Sequence, residues 1–158
     1  MTARQAARAT GGATGSRDTT TAAAANYQLL IDYYAAYGDG GAEGLARMAS
    51  FYAENKPSYT AGNSELSGET NSPEESLKVM RRLQELSGGN ITFAAPPTIL
   101  LAGDAVVALV VNERHARPGR PELVVPRLYV YEISDGKISR SFGWQLESEA
   151  FDQYYPRA

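Results

Sequence analysis

The sequence predicts an α+β domain in which three helices, all in the first half of the chain, pack on a curled antiparallel β-sheet made by the second half. Two changes of pattern predict it. Up to Ser87 apolar residues recur at helical spacing, and after Asn90 the period becomes two, with β-branched and aromatic residues taking over. A third observation is size: 158 residues, 43% of them hydrophobic, can bury one proper core, and nothing in the length asks for a second domain.

Residues 1–24 are Ala, Thr, Gly, Ser and Arg with no large apolar side chain after Met1. Such a segment cannot repay the entropy of ordering, so a disordered tail is expected there and a folded domain over 25–158. From Asn26 the pattern changes. Leu30, Tyr33, Tyr34 and Tyr37 fall on one face of a first helix that stops at Gly38-Asp39-Gly40-Gly41. A second, short helix from Ala42 to about Tyr52 offers Leu45, Met48 and Phe51 before Pro57 breaks it, and a short strand is expected at Ser58 to Ala61. The third helix has the clearest start. Ser72-Pro73-Glu74-Glu75 is a capping box with proline at the first helical position; Leu77, Met80 and Leu83 form its stripe, and Gly88-Gly89 ends it.

Strands follow over Ile91 to Leu101, Ala105 to Arg114, Leu123 to Ile133 and Ile138 to Glu147, a meander without internal repeat. Pro96-Pro97 cannot donate to a ladder, which makes the first of these an edge strand or a bulged one.

Composition excludes several classes of function. A formal charge of −3 and a pI near 5.2 give no long-range attraction to phosphate backbones or anionic lipid, so nucleic acid and membrane surfaces are not expected partners. With no cysteine there is no disulfide, thiolate nucleophile or cysteine metal site. One histidine, His115, rules out a multi-histidine metal site, and the acids lack calcium-loop spacing, so neither metal nor cofactor is expected. No apolar run reaches the roughly 18 residues of a membrane span and no signal-like core follows the first arginines, so the expected location is cytoplasmic.

The stretch YYAAYGDGGAEGLARMASFYAENKPSYTAGNSELSG resembles the opening of the superfamily that includes nuclear transport factor 2, ketosteroid isomerase and the SnoaL-like polyketide cyclases: a helix into a Gly-Asp turn, a second helix, a Tyr-Ala pair and a later Ser-Gly. LYVYEISDGKISRSFGW is similar to its final hairpin. With the capped third helix, the resemblance covers about residues 26–147. It implies a cone-shaped fold, a pocket for a small, mostly apolar or aromatic molecule, no cofactor, and a homodimer through the outer face of the sheet.

Facing of the hairpin decides the site, because a one-residue slip sends every side chain to the other face. A two-residue turn at Asp135-Gly136 puts Arg127 and Tyr129 on one face with Phe142 and Trp144; a three-residue loop with a bulge puts them with Ser141, Gly143 and Gln145. The resemblance favours the second, with Arg127, Tyr129, Ser141 and Gln145 in the pocket. It also implies which acids are missing. Thr60, beside Tyr59, stands where ketosteroid isomerase has its general base; Tyr129 stands at that enzyme's second aspartate; and Gly143 stands at the last-strand aspartate of the SnoaL-like cyclases and limonene epoxide hydrolase.

Arg127 is the first candidate, since a mid-strand guanidinium is expensive to bury unless it meets a carboxylate or an anionic oxygen; a structural ion pair with Glu113 or Glu147 is the ordinary alternative. Tyr129 and Tyr59 can donate to a developing oxyanion, although in a chain with ten tyrosines packing explains most of them. By family spacing Asn112 and Arg114 face the pocket as binding residues; with the opposite parity Glu113 becomes the internal general base. Glu147 is a reserve acid, Tyr34 a wall for a flat substrate, and His115 part of an exposed Pro- and Arg-rich loop. The resemblance implies a cofactor-independent cyclase or isomerase of bacterial secondary metabolism, closing a ring or opening an epoxide on a polyketide- or terpenoid-type substrate. The alternative is a non-catalytic ligand-binding or assembly module of the same fold.

Overall fold

The computed structural model describes residues 16–89 and 91–157, with side chains from residue 22 onward. The elements run α1 (Ser16–Asp39), α2 (Gly41–Ser50), β1 (Ser58–Thr60), β2 (Gly68–Thr70), α3 (Pro73–Ser87), β3 (Ile91–Phe93), β4 (Thr98–Ala102), β5 (Val106–His115), β6 (Leu123–Ser134), β7 (Lys137–Gln145) and α4 (Ser148–Tyr154). Helices cover the inner face of a seven-stranded sheet of order β2-β1-β7-β6-β5-β3, with β4 also paired to β5.

Helix α1 starts before the expected boundary at residue 25. Residues 16–24 of the expected tail are helical, and residues 1–15 lie outside the described residues. The run Ala22 to Ala25 supplies the best helix former where no apolar stripe exists. Leu30, Tyr33, Tyr34 and Tyr37 are all buried. Asn26, also buried, donates both Nδ2 hydrogens to Gly103 and Asp104 carbonyls at 2.9 and 2.8 Å, tying α1 to the β4–β5 turn. In α3 the cap forms with its return bond one residue early: Ser72 Oγ accepts the Glu75 amide at 3.2 Å, and Glu75 Oε2 accepts the amide of Asn71, ahead of the N-cap, at 2.6 Å. Gly88 closes the helix in the left-handed conformation at φ 62°.

The Pro96-Pro97 pair splits the expected first strand into β3 and β4, which share one edge of β5. The sheet is mixed, because β1 runs parallel to β7 (Ser58 opposite Ser141, Thr60 opposite Gly143). A fourth helix, absent from the sequence reading, follows β7; its Phe151 and Tyr154, with Tyr155, are buried against the end of the sheet.

The β6–β7 hairpin combines the two expected geometries. Asp135 and Gly136 form a two-residue turn with φ 52° and 68°, pairing Ser134 with Lys137 and Ile133 with Ile138. The register then shifts by one: Glu132 pairs with Arg140, so Ser139 is an extra residue in β7. That bulge turns the strand over. Arg127, Tyr129 and Tyr131 share the inner face with Gln145, Gly143 and Ser141, while Phe142 and Trp144 stack on the outer face, ring centroids 6.1 Å apart.

Candidate functional site

Between the inner face of the sheet and the helices lies a cavity of about 100 Å³. Tyrosines form much of its wall. Tyr34 and Tyr131 share a hydroxyl hydrogen bond of 2.6 Å, and Tyr33 and Tyr52 one of 3.0 Å, so four phenols satisfy one another inside the core. Tyr129 stacks on Tyr131 at 5.7 Å and lies flat over Gly143; a Cβ at that glycine would stand 2.7 Å from Tyr129 Cε1. The room that a carboxylate side chain at position 143 would need is taken by the Tyr129 ring.

Beside the cavity, and beneath α4, is a buried charge cluster. Arg127 Nη1 donates to Glu113 Oε2 at 2.8 Å, Tyr129 Oη donates to Oε1 at 3.3 Å, and His115 Nε2 stands 3.2 Å from Oε2. His115 Nδ1 lies 3.0 Å from Tyr155 Oη. Burial pushes the Glu113 carboxyl upward, but the charge of Arg127, with the neighbouring His115, outweighs it and holds it down at about 2. Arg127 is pushed the other way: burial disfavours its charge, and Glu113 more than restores it. Arg127 lines the cavity and its buried Nε has no hydrogen-bond partner.

Five sequence expectations change here. Glu113 faces inward and Asn112 and Arg114 do not, because β5 buries Val107, Leu109, Val111, Glu113 and His115 in strict alternation; Arg114 pairs instead with Glu122 at 2.7 Å on the outer side. Glu113 does not line the cavity, and a carboxylate neutralised by Arg127 is a poor proton acceptor, so the general-base role expected of it fails. Tyr59 pairs with outward-facing Phe142 and is 41% exposed; its neighbours Ser58 and Thr60 line the cavity in its place. Glu147 is exposed just ahead of α4, away from the cavity. His115 is the last residue of β5 and fully buried, not a loop residue, because the strand pairs with β3 and β6 to its end.

Tyr34, Arg127, Tyr129 and Ser141 do line the cavity. Gln145 is on the inner face and buried, with both amide atoms unpartnered, but it is not part of the cavity wall.

Among the wall residues that were not foreseen, one carries a charge deep in the core. Lys56, between α2 and β1, is 3% exposed and lines the cavity. Its Nζ donates to Ser58 Oγ at 2.6 Å and to Ser76 Oγ at 3.5 Å, and sits 4.2 Å from the centre of the Tyr52 ring. Burial lowers its pKa to about 7. The segment Glu54-Asn55-Lys56-Pro57 reads as a polar turn, and only its position between two cavity-facing elements could have marked the lysine. Among the described residues no helix is long and apolar enough to cross a membrane, and no three His, Cys, Asp or Glu side chains cluster as a metal site requires.

No family model matches the chain, and no curated protein matches it. Solved structures do. Bal32a from a soil-derived mobile gene cassette aligns with a TM-score of 0.74 at 20% identity, covering 85% of this chain and 98% of that one. TerC, co-crystallised with polyporic acid, aligns at 0.69 and 15% identity over 82% and 97%. A Xanthomonas campestris protein provisionally assigned as a polyketide cyclase aligns at 0.65 and 15% identity over 84% and 98%. Others are described as NTF2-like or as having a ketosteroid isomerase-like fold. At these identities the likeness is one of architecture, and with the cone, the hairpin and the helical cover all in place the chain has the nuclear transport factor 2-like fold.

Proposed function

We propose that the chain is a cofactor-independent cyclase or isomerase that closes a ring or opens an epoxide on a small, mostly apolar molecule carrying a polarisable oxygen. The observation that carries this reading is Arg127: a guanidinium on the cavity wall, its charge fixed by Glu113 and one N–H still without a partner. Tyr129 stands beside it, with the guanidinium 4.9 Å from the ring centroid. Arg127 Nε can donate without reorganising, and Tyr129 can join it by turning its hydroxyl away from Glu113, so the pair suits an oxygen that gains negative charge in the transition state. Proximity inside the cone supplies much of the remaining barrier reduction. The provisional polyketide cyclase and the polyporic acid complex among the structural neighbours support a conjugated, oxygen-bearing substrate of the kind found in bacterial secondary metabolism. In the same reading two copies pair through the outer sheet face, where Phe142, Trp144 and exposed Tyr59 lie together, and the protein works in the cytoplasm.

One observation favours a non-catalytic ligand-binding or assembly module: mutually bonded tyrosines fill much of the cone. The two readings separate by native mass spectrometry and thermal-shift screening against polyketide, terpenoid-phenol and epoxide ligands, including polyporic acid, with Arg127→Ala and Tyr129→Phe alongside. Turnover that the variants lose more strongly than binding supports the enzyme. A stable dimer that binds none of the ligands overturns it.

A further inference from the structure

Lys56 differs from every other cation in the core by what surrounds it. Arg127 has Glu113; Lys56 has no carboxylate within ion-pairing distance among the described residues. A buried ammonium normally needs one. What it meets is a chain of hydroxyls: Ser58 and Ser76 accept from Nζ, lie 3.2 Å from each other, and Ser76 is 2.9 Å from Thr70 Oγ1. All four residues line the cavity. Pro57 holds the backbone behind the lysine, its carbonyl accepting the Ser141 amide at 3.2 Å, and restricts Lys56 itself to extended conformations. The amine is therefore fixed in place, open to the cavity, and hydrogen-bonded to groups that solvate it without neutralising it.

We infer that Lys56 is a covalent amine site, at which an aldehyde or ketone entering the cavity is bound as an imine. The inference rests on the reading that the cavity admits a small oxygen-bearing molecule, and it gives that molecule a class: a carbonyl compound. The ammonium first releases its extra proton to solvent. The neutral nitrogen's lone pair then forms a C–N bond to the carbonyl carbon as the C=O π pair moves to oxygen. The nitrogen gives up its two remaining hydrogens in turn, one to that oxygen and one as the C–O bond breaks, so amine plus carbonyl becomes imine plus one water. Ser58 and Ser76 stand where hydroxyls can pass those protons to the departing oxygen. With its pKa lowered to about 7, close to half of the amine is neutral at pH 7, against on the order of one in a thousand for an ordinary solvated lysine.

The chain has three lysines, Lys56, Lys78 and Lys137, and the latter two are exposed, so it carries its own reference sites. The whole protein is incubated at pH 7 with propanal or benzaldehyde and sodium cyanoborohydride, which delivers hydride to the iminium carbon and makes the adduct a stable secondary amine. Peptide mapping then reads a mass increase equal to the aldehyde less one oxygen. The expected result is labelling at Lys56 at least about ten-fold above Lys78 and Lys137, in line with its larger neutral fraction, and loss of that excess in Lys56→Met and Lys56→Arg. Equal labelling of the three lysines, or labelling confined to the exposed two, overturns the inference and needs no variant to fold. Benzyl alcohol, which lacks the carbonyl, separates the two levels of argument: a thermal shift with benzyl alcohol but no Lys56 adduct leaves the cavity reading standing and removes only the imine, whereas no shift with either compound and no adduct removes both.

Discussion

Replacing Lys56 with methionine tests the energetics of the buried amine directly. Methionine keeps an unbranched, apolar side chain in the same space and removes the charge. Because the folded pKa, about 7, lies below the ordinary lysine value of 10.5, the unfolded chain binds more protons across that window and the wild-type protein gains stability as pH rises through it. Below pH 7 the folded state carries a penalty on the order of 5 kcal/mol, taking about 1.4 kcal/mol per pKa unit. The contact with Tyr52 and the hydrogen bond to Ser58 offset part of it, each worth on the order of 1 kcal/mol. Lys56→Met is therefore expected to be the more stable protein at pH 6 by roughly 3 kcal/mol, a rise of about 9 °C in Tm for a chain of this size. The difference shrinks as pH approaches 10. Urea unfolding of both proteins at pH 6, 8 and 10 checks this. A stability difference that does not change with pH, or a variant less stable than wild type at pH 6, would refute the reasoning by showing that the pocket holds the ammonium as comfortably as water does.

Two further predictions concern the cluster and the close contact beside it. Glu113→Gln leaves the Arg127 charge buried without its carboxylate and is expected to cost about 3–5 kcal/mol at pH 7. Since the Glu113 pKa falls from 4.5 to about 2 on folding, its contribution is full above pH 4.5 and is lost as pH drops toward 2, so acid titration of the variant by circular dichroism should lack the part of the transition in that window. Gly143→Ala places a methyl 2.7 Å from Tyr129 Cε1, with an expected loss of about 1–3 kcal/mol. The double variant Gly143→Ala/Tyr129→Leu should recover part of that loss in chemical unfolding; purely additive losses would show that the ring is not what the methyl meets.

Elements with a strong local signature were legible in the sequence. The cap of α3, the tyrosine face of α1 and the paired strands follow from patterns that local physics imposes. The inward facing of Arg127, Tyr129 and Ser141 was legible as well, although by a two-residue turn plus a later bulge and not by the longer loop that the sequence suggested. Parity in β5 was harder, because Asn112, Glu113 and Arg114 are all polar and polarity alone gives no inside. The decision came from a non-local fact: Arg127 sits opposite Val111 and draws the carboxylate of Glu113 inward. Helix α4 had a readable signal, Phe151, Tyr154 and Tyr155 at helical spacing. Lys56 had no local signal beyond its place between α2 and β1, since its burial depends on β1 joining β7 in parallel across more than eighty intervening residues.

The bulge at Ser139 has a consequence for how this cavity could be changed. The composition of one wall is set by the pairing register upstream of it, among residues that do not line it. Substituting Ser139 leaves the strand's phase alone, and so does deleting it, because Arg140 then follows Ile138 and keeps Glu132 as its partner; one residue inserted after Arg140, with the bulge kept, would bring Phe142 and Trp144 indoors and put Ser141 and Gln145 outside. Point-mutation libraries therefore explore only one side of β7, and a single-codon insertion after Arg140 reaches the other in one step, exchanging a polar lining for an aromatic one while the hairpin turn stays as it is.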